Sequence, residues 1–373
     1  MNPQVELGSN KDDILTFTLS GVNMSLANAI RRTLLSDIPI VVFRTAPYEE
    51  NKANILANTS RLNNEIVKQR LSCIPIHIKD LDDFPLNNYI MEVNVENTTE
   101  SILFVTTKDF TIKEVATGAP ISESKVREIF PADDHTGHFI DFVRLRPKIS
   151  DELPGERIHL TCEFDIGTAK EDGMFNSVAT CSYGFTVDEA EQTSKLEKLK
   201  QTWKDNGKTQ AEIDFESENW KLLDGKRIVK KDSFDFILQT VGVYSNNELL
   251  DKACELLLKQ MDDFDSLIEK DEVEIKNSET TMSNSFDVIL QDIDYTIGKV
   301  IEYFLYTKFY ETKMLTFCGF KKMHPHDTFS IIRVAYENPV EISTIKGHLK
   351  ECVGDAKTVY AKIKKAFLGF PSK

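Results

Sequence analysis

The sequence predicts an α+β protein in which a strand–cap–helix pattern occurs twice, with a mainly β segment between the two occurrences. Residues 14–20 (ILTFTLS) alternate apolar and polar, then run into a helix-period stretch, LANAIRRTLLSDI. From residue 44 to about 186, short β-type runs are separated by Asn, Asp, Gly and Pro. Near residue 290 the strand-to-helix pattern returns.

In chain order, the first strand leads to Ser25, whose hydroxyl is read as the helix N-cap. Leu26, Ala27, Ile30, Leu34 and Leu35 then form one apolar stripe, with Arg31 and Arg32 at its edge. Pro39 cannot supply a helical backbone donor and stops the helix. IVVF at 40–43 is a short strand. The inserted segment carries YIMEVNVEN, SILFVTTKDFTI, RIHLTCEFDI and ATCSYGFTV as strands, and RLNNEIVKQRL at 61–71 as a helix. Residues 188–232 are highly charged with few apolar anchors, which fits a solvated helix or excursion. FDFILQTVGVYS at 234–245 reads as a strand. Asn246 or Asn247 then caps a helix striped by Leu249, Leu250, Ala253, Leu256, Leu257 and Met261. A polar, acidic stretch follows as a linker. FDVILQDID is the next strand, Thr296 is read as the cap of IGKVIEYFLYTKFY, and a last helix, TIKGHLKECVGDAKTVYAKIKKAF, precedes FLGF.

The two helix entries align. Val22 through Ile30 and Ile293 through Ile301 share a hydroxyl at Ser25 and Thr296, an apolar residue after it, and a small residue at Ala27 and Gly298. The offset is 271 at the hydroxyls and again at Leu34 and Leu305. Each unit buries one face, so two such units can bury both by packing together. Strand–cap–helix is also a common arrangement, so these positions leave both duplication and coincidence open.

Composition narrows the function. With 373 residues the chain has room for two or three domains. A net charge of −15 makes it a poor general binder of nucleic acid, so its partners are expected to be proteins. The six cysteines are widely spaced without a Cys-x-x-Cys pair, which predicts buried free thiols in a reducing compartment. The Met-Asn-Pro-Gln start lacks a secretory pattern, and no apolar run approaches a bilayer span of ~20 residues. An intracellular protein with no membrane partner is expected. Phosphate-loop, nucleophile-elbow and His-Glu-x-x-His motifs are missing. The pairs His135/His138 and His324/His326, and the acids Asp80, Asp82, Asp83, Asp133, Asp134 and Asp141, read as solvated loops and faces. No catalytic residue, metal or cofactor is expected.

Several stretches resemble the α-type subunits of cellular RNA polymerases. Asn28 through Pro39 (NAIRRTLLSDIP) is similar to that family's N-terminal helix signature. Arg61 through Leu71, with Ile74-Pro75-Ile76, resembles a second signature; Gly167 through Tyr183, around Lys170, resembles a third. Phe236 through Val243 and the helix from Glu248 resemble the return strand and dimerisation helix. Asp294 through Lys299 and Phe317 through Pro325 resemble the small partner subunit, although Met323-His324-Pro325 stands where the family often has Pro-His-Pro. The clustered cysteines that hold zinc or iron–sulfur in some relatives are missing.

The resemblance implies a D-like (third-subunit-like, bacterial α-like) part fused to an L-like (eleventh-subunit-like) part, an arrangement that points to a large DNA virus. A virion and host cytoplasm, or host nucleus, would then be its location. The implied domains are 1–46 with 187–265 (D-like), 47–186 (inserted, mainly β), a 266–284 linker and 285–373 (L-like), the two halves forming an intramolecular pseudo-dimer. The chain ends at Lys373 without room for the DNA-reading domain of bacterial α. Implied dimerisation residues are Ser25, Leu26, Ile30, Leu34, Leu249, Leu250, Ala253, Leu257, Thr296, Ile297, Gly298, Ile301 and Leu305. Implied partners are the two largest subunits and smaller polymerase subunits, without sequence-specific contact to nucleic acid. At least one of Arg31 and Arg32 is expected to face a catalytic subunit, because a planar guanidinium binds carboxylates bidentately. Glu65 and Arg70 point to different sides of one helix, one holding the inserted domain and the other meeting a partner. Lys170 is a further partner contact, and His324-Pro325 stiffens a loop. A free-standing scaffold and an enzyme in the β segment are the competing classes.

Overall fold

The computed structural model describes residues 1–81, 84–150 and 152–369. Strands β1 (Gln4–Lys11) and β2 (Ile14–Ser20) form a hairpin. Its turn residues Asp12 and Asp13 both have positive φ, 52° and 61°, as a two-residue type I′ loop requires. Helix α1 (Met24–Ser36) follows. The chain then builds β3 (Ile40–Val42), β4 (Ala53–Asn58), α2 (Asn64–Ser72), β5 (Tyr89–Glu96), β6 (Leu103–Thr106), β7 (Thr111–Glu114), α3 (Glu123–Ile129), β8 (Asp141–Leu145), β9 (Arg157–Glu163) and β10 (Asp165–Gly167). It continues through β11 (Val178–Val187), α4 (Glu189–Asp205), α5 (Gln210–Leu222), β12 (Val229–Thr240) and α6 (Asn246–Glu269). The last part is β13 (Ile275–Asn277), β14 (Ser285–Gln291), α7 (Tyr295–Leu305), β15 (Leu315–Lys321), β16 (Phe329–Tyr336) and α8 (Ile342–Phe367).

Two compact units result: residues 1–33, 180–239 and 246–373 form one, and 34–179 with 240–245 form the other. The first unit contains the same plan twice. Its sheets run β1-β2-β12-β11 and β13-β14-β16-β15, antiparallel throughout the registered pairs that join them. In each, a hairpin leads to a helix and the strand beside the hairpin leads to a long second helix. Ile14–Ser20 shifted by 271 is Ser285–Gln291, and Met24 shifted by 271 is Tyr295, so strand and helix start keep the offset seen in the sequence. The first copy differs by what it accommodates: the second unit departs within the last turn of α1, and the α4–α5 pair separates β11 from β12.

The second unit is mainly β, with sheets β4-β9-β5-β7, β6-β8 and β10-β3. Its core is aromatic: Phe110 meets Phe130 and Phe142 edge-on at 5.3 and 5.5 Å between centroids. Such edge-to-face pairs add to the burial of large rings.

Three sequence expectations change. The inserted segment does not run from 47 to 186: residues 34–46 cluster with it because β3 pairs with β10, and β11 leaves it for the β1-β2-β12 sheet. Residues 266–284 are not a bare tether, since α6 runs to Glu269, Ile268 and Val273 are buried, and β13 adds an edge strand to β14. The strand expected over 234–245 begins earlier, at Val229, and ends at Thr240. Of the charged 188–232 region, both halves are helical; Leu196 and Ile213 are buried there.

Candidate functional site

The site is the surface through which the two copies of the plan meet inside the first unit. It begins at the helix caps. Asn23, not Ser25, caps α1: its side-chain oxygen accepts from the Ser25 N–H at 2.9 Å. Asp294, not Thr296, caps α7 and accepts from the Thr296 N–H at 2.8 Å. Both expected hydroxyl caps are instead the second residue of their helix, two positions after the cap. The true caps, Asn23 and Asp294, are themselves 271 apart.

Arg32 reaches from α1 to the second cap. Its Nε donates to Thr296 Oγ1 at 2.8 Å and its Nη2 to Asp294 Oδ2 at 2.8 Å. This contact engages Arg32 within the chain, so of the two arginines, at least one of which is expected to face a catalytic subunit, Arg31 is the one left for that role. Burial alone would push the Asp294 carboxyl up; the Thr296 amide and hydroxyl and the Arg32 guanidinium outweigh it and hold it below the usual carboxylate range. Arg31 Nε donates to Asn28 Oδ1 at 2.9 Å on its own helix.

The long helices α6 and α8 pack together and run antiparallel. Three lysines at heptad spacing on α8 meet three acids at heptad spacing on α6. Lys364 lies 2.7 Å from Glu255, Lys357 2.5 Å from Asp262, and Lys350 2.7 Å from Glu269. Lys346 pairs with Asp271 just beyond, and Lys364 also reaches Asp251 at 3.5 Å. Between these flanks the helices bury Leu249, Leu250, Ala253, Leu257 and Met261 on α6, and Leu349, Val353, Ala356, Tyr360 and Ile363 on α8. Phe367 of α8 stands edge-on to Phe17 of β2 at 5.3 Å. This ladder was missed in the sequence, where its signal was present: 255, 262, 269 and 350, 357, 364.

The remaining dimerisation candidates Leu26, Ile30, Leu34, Thr296, Ile297, Gly298, Ile301 and Leu305 are buried, and Ser25 is half-buried. A Cβ at Gly298 would fall inside the Phe320 ring of β15, so this helix lies against its sheet at a distance only glycine permits.

In the second unit, Arg70 is the member of its pair that holds structure: Nε and Nη2 donate to the Phe142 and Asp141 carbonyls, both at 2.7 Å. Glu65 is exposed in the first turn of α2. Lys170 is exposed, and its N–H donates to the Ser36 carbonyl at 2.8 Å. The loop carrying it is organised by Arg44, 2.6 Å from Asp165 and 2.9 Å from Glu171. Sequence reading did not single out Arg44.

Among the described residues no group of three or more His, Cys, Asp or Glu is disposed to hold a metal. His135 and His138 are exposed in a turn where Asp133 accepts from the Thr136 N–H and hydroxyl, both at 2.7 Å. His324 lies in a turn tied by Asp327, which accepts from its N–H at 2.9 Å. Asp82 and Asp83 lie outside the described residues. Burial pushes the Cys181, Cys254 and Cys318 thiols up to about 12, which keeps them protonated; Cys73, against expectation, is exposed. Among the described residues no helix is long and apolar enough to cross a membrane.

Comparison with known proteins agrees with this plan. Residues 16–261 match the family described as the RNA polymerase Rpb3/Rpb11 dimerisation domain. That match spans β2 to α6 and ends before the second copy. The chain is 24% identical over 275 residues to DNA-directed RNA polymerase subunit Rpo3 of Pyrococcus horikoshii, covering 70% of this chain and 96% of the relative. It is 22% identical over 290 residues to Rpo3 of Methanosphaera stadtmanae, covering 72% and 99%. With DNA-directed RNA polymerases I and III subunit rpac1 of Dictyostelium discoideum it shares 26% identity over 191 residues, 49% of this chain and 52% of that one. More than half of the chain lies within the match, and the protein belongs to the RNA polymerase Rpb3/Rpb11 dimerisation-domain family.

Proposed function

We propose that this chain is a non-catalytic assembly-platform subunit of a DNA-directed RNA polymerase that carries a D-like and an L-like half on one polypeptide and pairs them in cis. The observation that carries the reading is the α6–α8 ladder, which joins the first copy of the plan, where the family match lies and stops short of the end of α6, to the second copy. The similarity to Rpo3 subunits supports the polymerase assignment. A covalent connection raises the effective concentration of one half for the other to the order of mM, so a paired platform needs no second subunit to form.

The platform then seats the two largest subunits and smaller ones. Arg31, Glu65 and Lys170 are proposed as partner contacts; Arg32 and Arg70 are committed within the chain. The fused arrangement is the reason to expect a large DNA virus as the source.

The test is affinity purification of the tagged chain from its native source, with mass spectrometry of stoichiometric companions. Two very large subunits, together with one copy of this chain and no separate L-like subunit, are the expected result. A lone monomer would favour a free-standing scaffold, and two copies of the chain per complex would overturn pairing in cis.

A further inference from the structure

The second unit has a groove of about 530 Å³ between the start of α2 and strand β8. Its lining combines apolar residues, among them Leu62 and the 56% exposed Ile102, with four arginines, Arg61, Arg70, Arg144 and Arg146, against a single acid, Asp141. Two of these cations are occupied. Arg70 donates to the Phe142 and Asp141 carbonyls, and Arg146 pairs with Glu156. The other two are not: among the described residues neither Arg61 nor Arg144 meets a carboxylate, and Arg144 only overlies the half-exposed Phe104 ring, 4.8 Å from its centroid.

The chain as a whole has 60 acids and 45 bases, so this groove reverses the overall balance. A guanidinium left unpaired beside an exposed isoleucine and phenylalanine is a site for a group that brings both a carboxylate and an apolar side chain. We infer that this groove docks an acidic peptide segment of a partner protein, with a large apolar side chain seated over Leu62 and Ile102 and flanking carboxylates on Arg61 and Arg144. Nucleic acid fits less well. It brings phosphates but no large apolar side chain, and the apolar part of the lining offers phosphate nothing. The inference is independent of the polymerase reading, because it rests on the groove alone.

The probe is a fluorescein-labelled peptide, Asp-Glu-Leu-Phe-Glu-Asp, titrated with the full chain by anisotropy. Controls replace its acids with Lys, replace Leu-Phe with Ser-Ser, or use a single-stranded oligonucleotide of equal charge. Only the first probe is expected to bind. R61E/R144E should weaken it by about tenfold or more, since two charge-assisted contacts become repulsions. The same variant should keep its Tm, because both arginines are exposed, which separates loss of docking from loss of fold. Added salt should weaken the complex as well. Equal binding of acidic and basic probes, tighter binding of the oligonucleotide, an affinity unchanged in R61E/R144E, or no saturation by ~1 mM would each overturn the inference.

Discussion

The two halves of the first unit share one backbone plan and differ in sign at their polar contacts. The first half presents a neutral cap, Asn23, and an arginine nine residues on; the second presents a charged cap, Asp294, with Tyr303 at the position equivalent to Arg32. Helix α6 carries seven acids and two bases, whereas α8 carries six lysines and two acids. A symmetric pair would place like on like. Here each contact has a donor side and an acceptor side, so unlike halves attract and two like halves repel, in the manner of charge-sorted coiled coils. Polarity of this kind suits halves that must recognise each other rather than a second copy of themselves.

The largest predicted effect falls where the halves differ in size rather than charge. Gly298 has the Phe320 ring where a side chain would go, while the equivalent Ala27 already carries a Cβ. Gly298→Leu should cost about 3 kcal/mol or more by forcing that ring from its place. Ala27→Gly should cost about 1 kcal/mol, through helix propensity. Thermal unfolding would compare them, and similar losses would mean that the two helix entries pack alike. Next comes the ladder. Reversing Lys350, Lys357 and Lys364 to Glu should lower Tm by about 5 °C. Adding Glu255→Lys, Asp262→Lys and Glu269→Lys to the same chain should restore most of it, since the cycle isolates pairing from the individual changes. If the sixfold variant is no more stable than the threefold one, the ladder does not direct pairing.

How much of this could be read from the sequence varied with the kind of signal. β2 was legible to the residue, because Leu15, Phe17 and Leu19 alternate with half-exposed partners. The repeat was legible because helix entries are local. Its caps were displaced by two residues, since a hydroxyl followed by an apolar stripe satisfies the same rule as Asn23 or Asp294 before it. β1 and β13 were invisible: both are edge strands with few buried side chains and so lack the alternation of a half-buried strand. The ladder joins residues 81 to 109 positions apart, and a heptad of lysines on one helix is read as a solvated face until its partner is known. For the same reason Arg32 looked outward: its acceptors are 262 and 264 residues away.

The cap contact is a smaller effect and sets the charge difference between the halves most directly. Asp294→Ala should cost about 1–2 kcal/mol, combining a lost N-cap with the loss of a carboxylate for Arg32. Asp294→Asn keeps a capping oxygen and removes only the charge, so its cost should stay under about 1 kcal/mol. Because the folded carboxyl is more acidic than in the unfolded chain, where ~3.9 is usual, the ionised form favours the native state. Its contribution is complete above that value and is lost as pH falls through the lowered one. The Tm difference between the parent and Asp294→Asn should therefore be constant from neutral pH down to about 5 and close only as pH falls through the lowered value, beneath the usual carboxylate range. A difference that persists at the lowest pH would assign the effect to shape rather than charge.

The smallest effect is the converse change in the first half. Asn23→Asp keeps the cap on the Ser25 N–H and adds a negative charge at a helix N-terminus, a gain of about 0.3–1 kcal/mol at most. The residue of the second half equivalent to Arg32 is Tyr303, which carries no positive charge to answer it. The substitution should raise Tm by a degree or two without altering the pairing of α6 with α8. A gain as large as the Asp294→Asn loss would show that the helix terminus alone rewards the charge. A smaller gain leaves the remainder to Arg32, and with it the direction of the contact from first half to second.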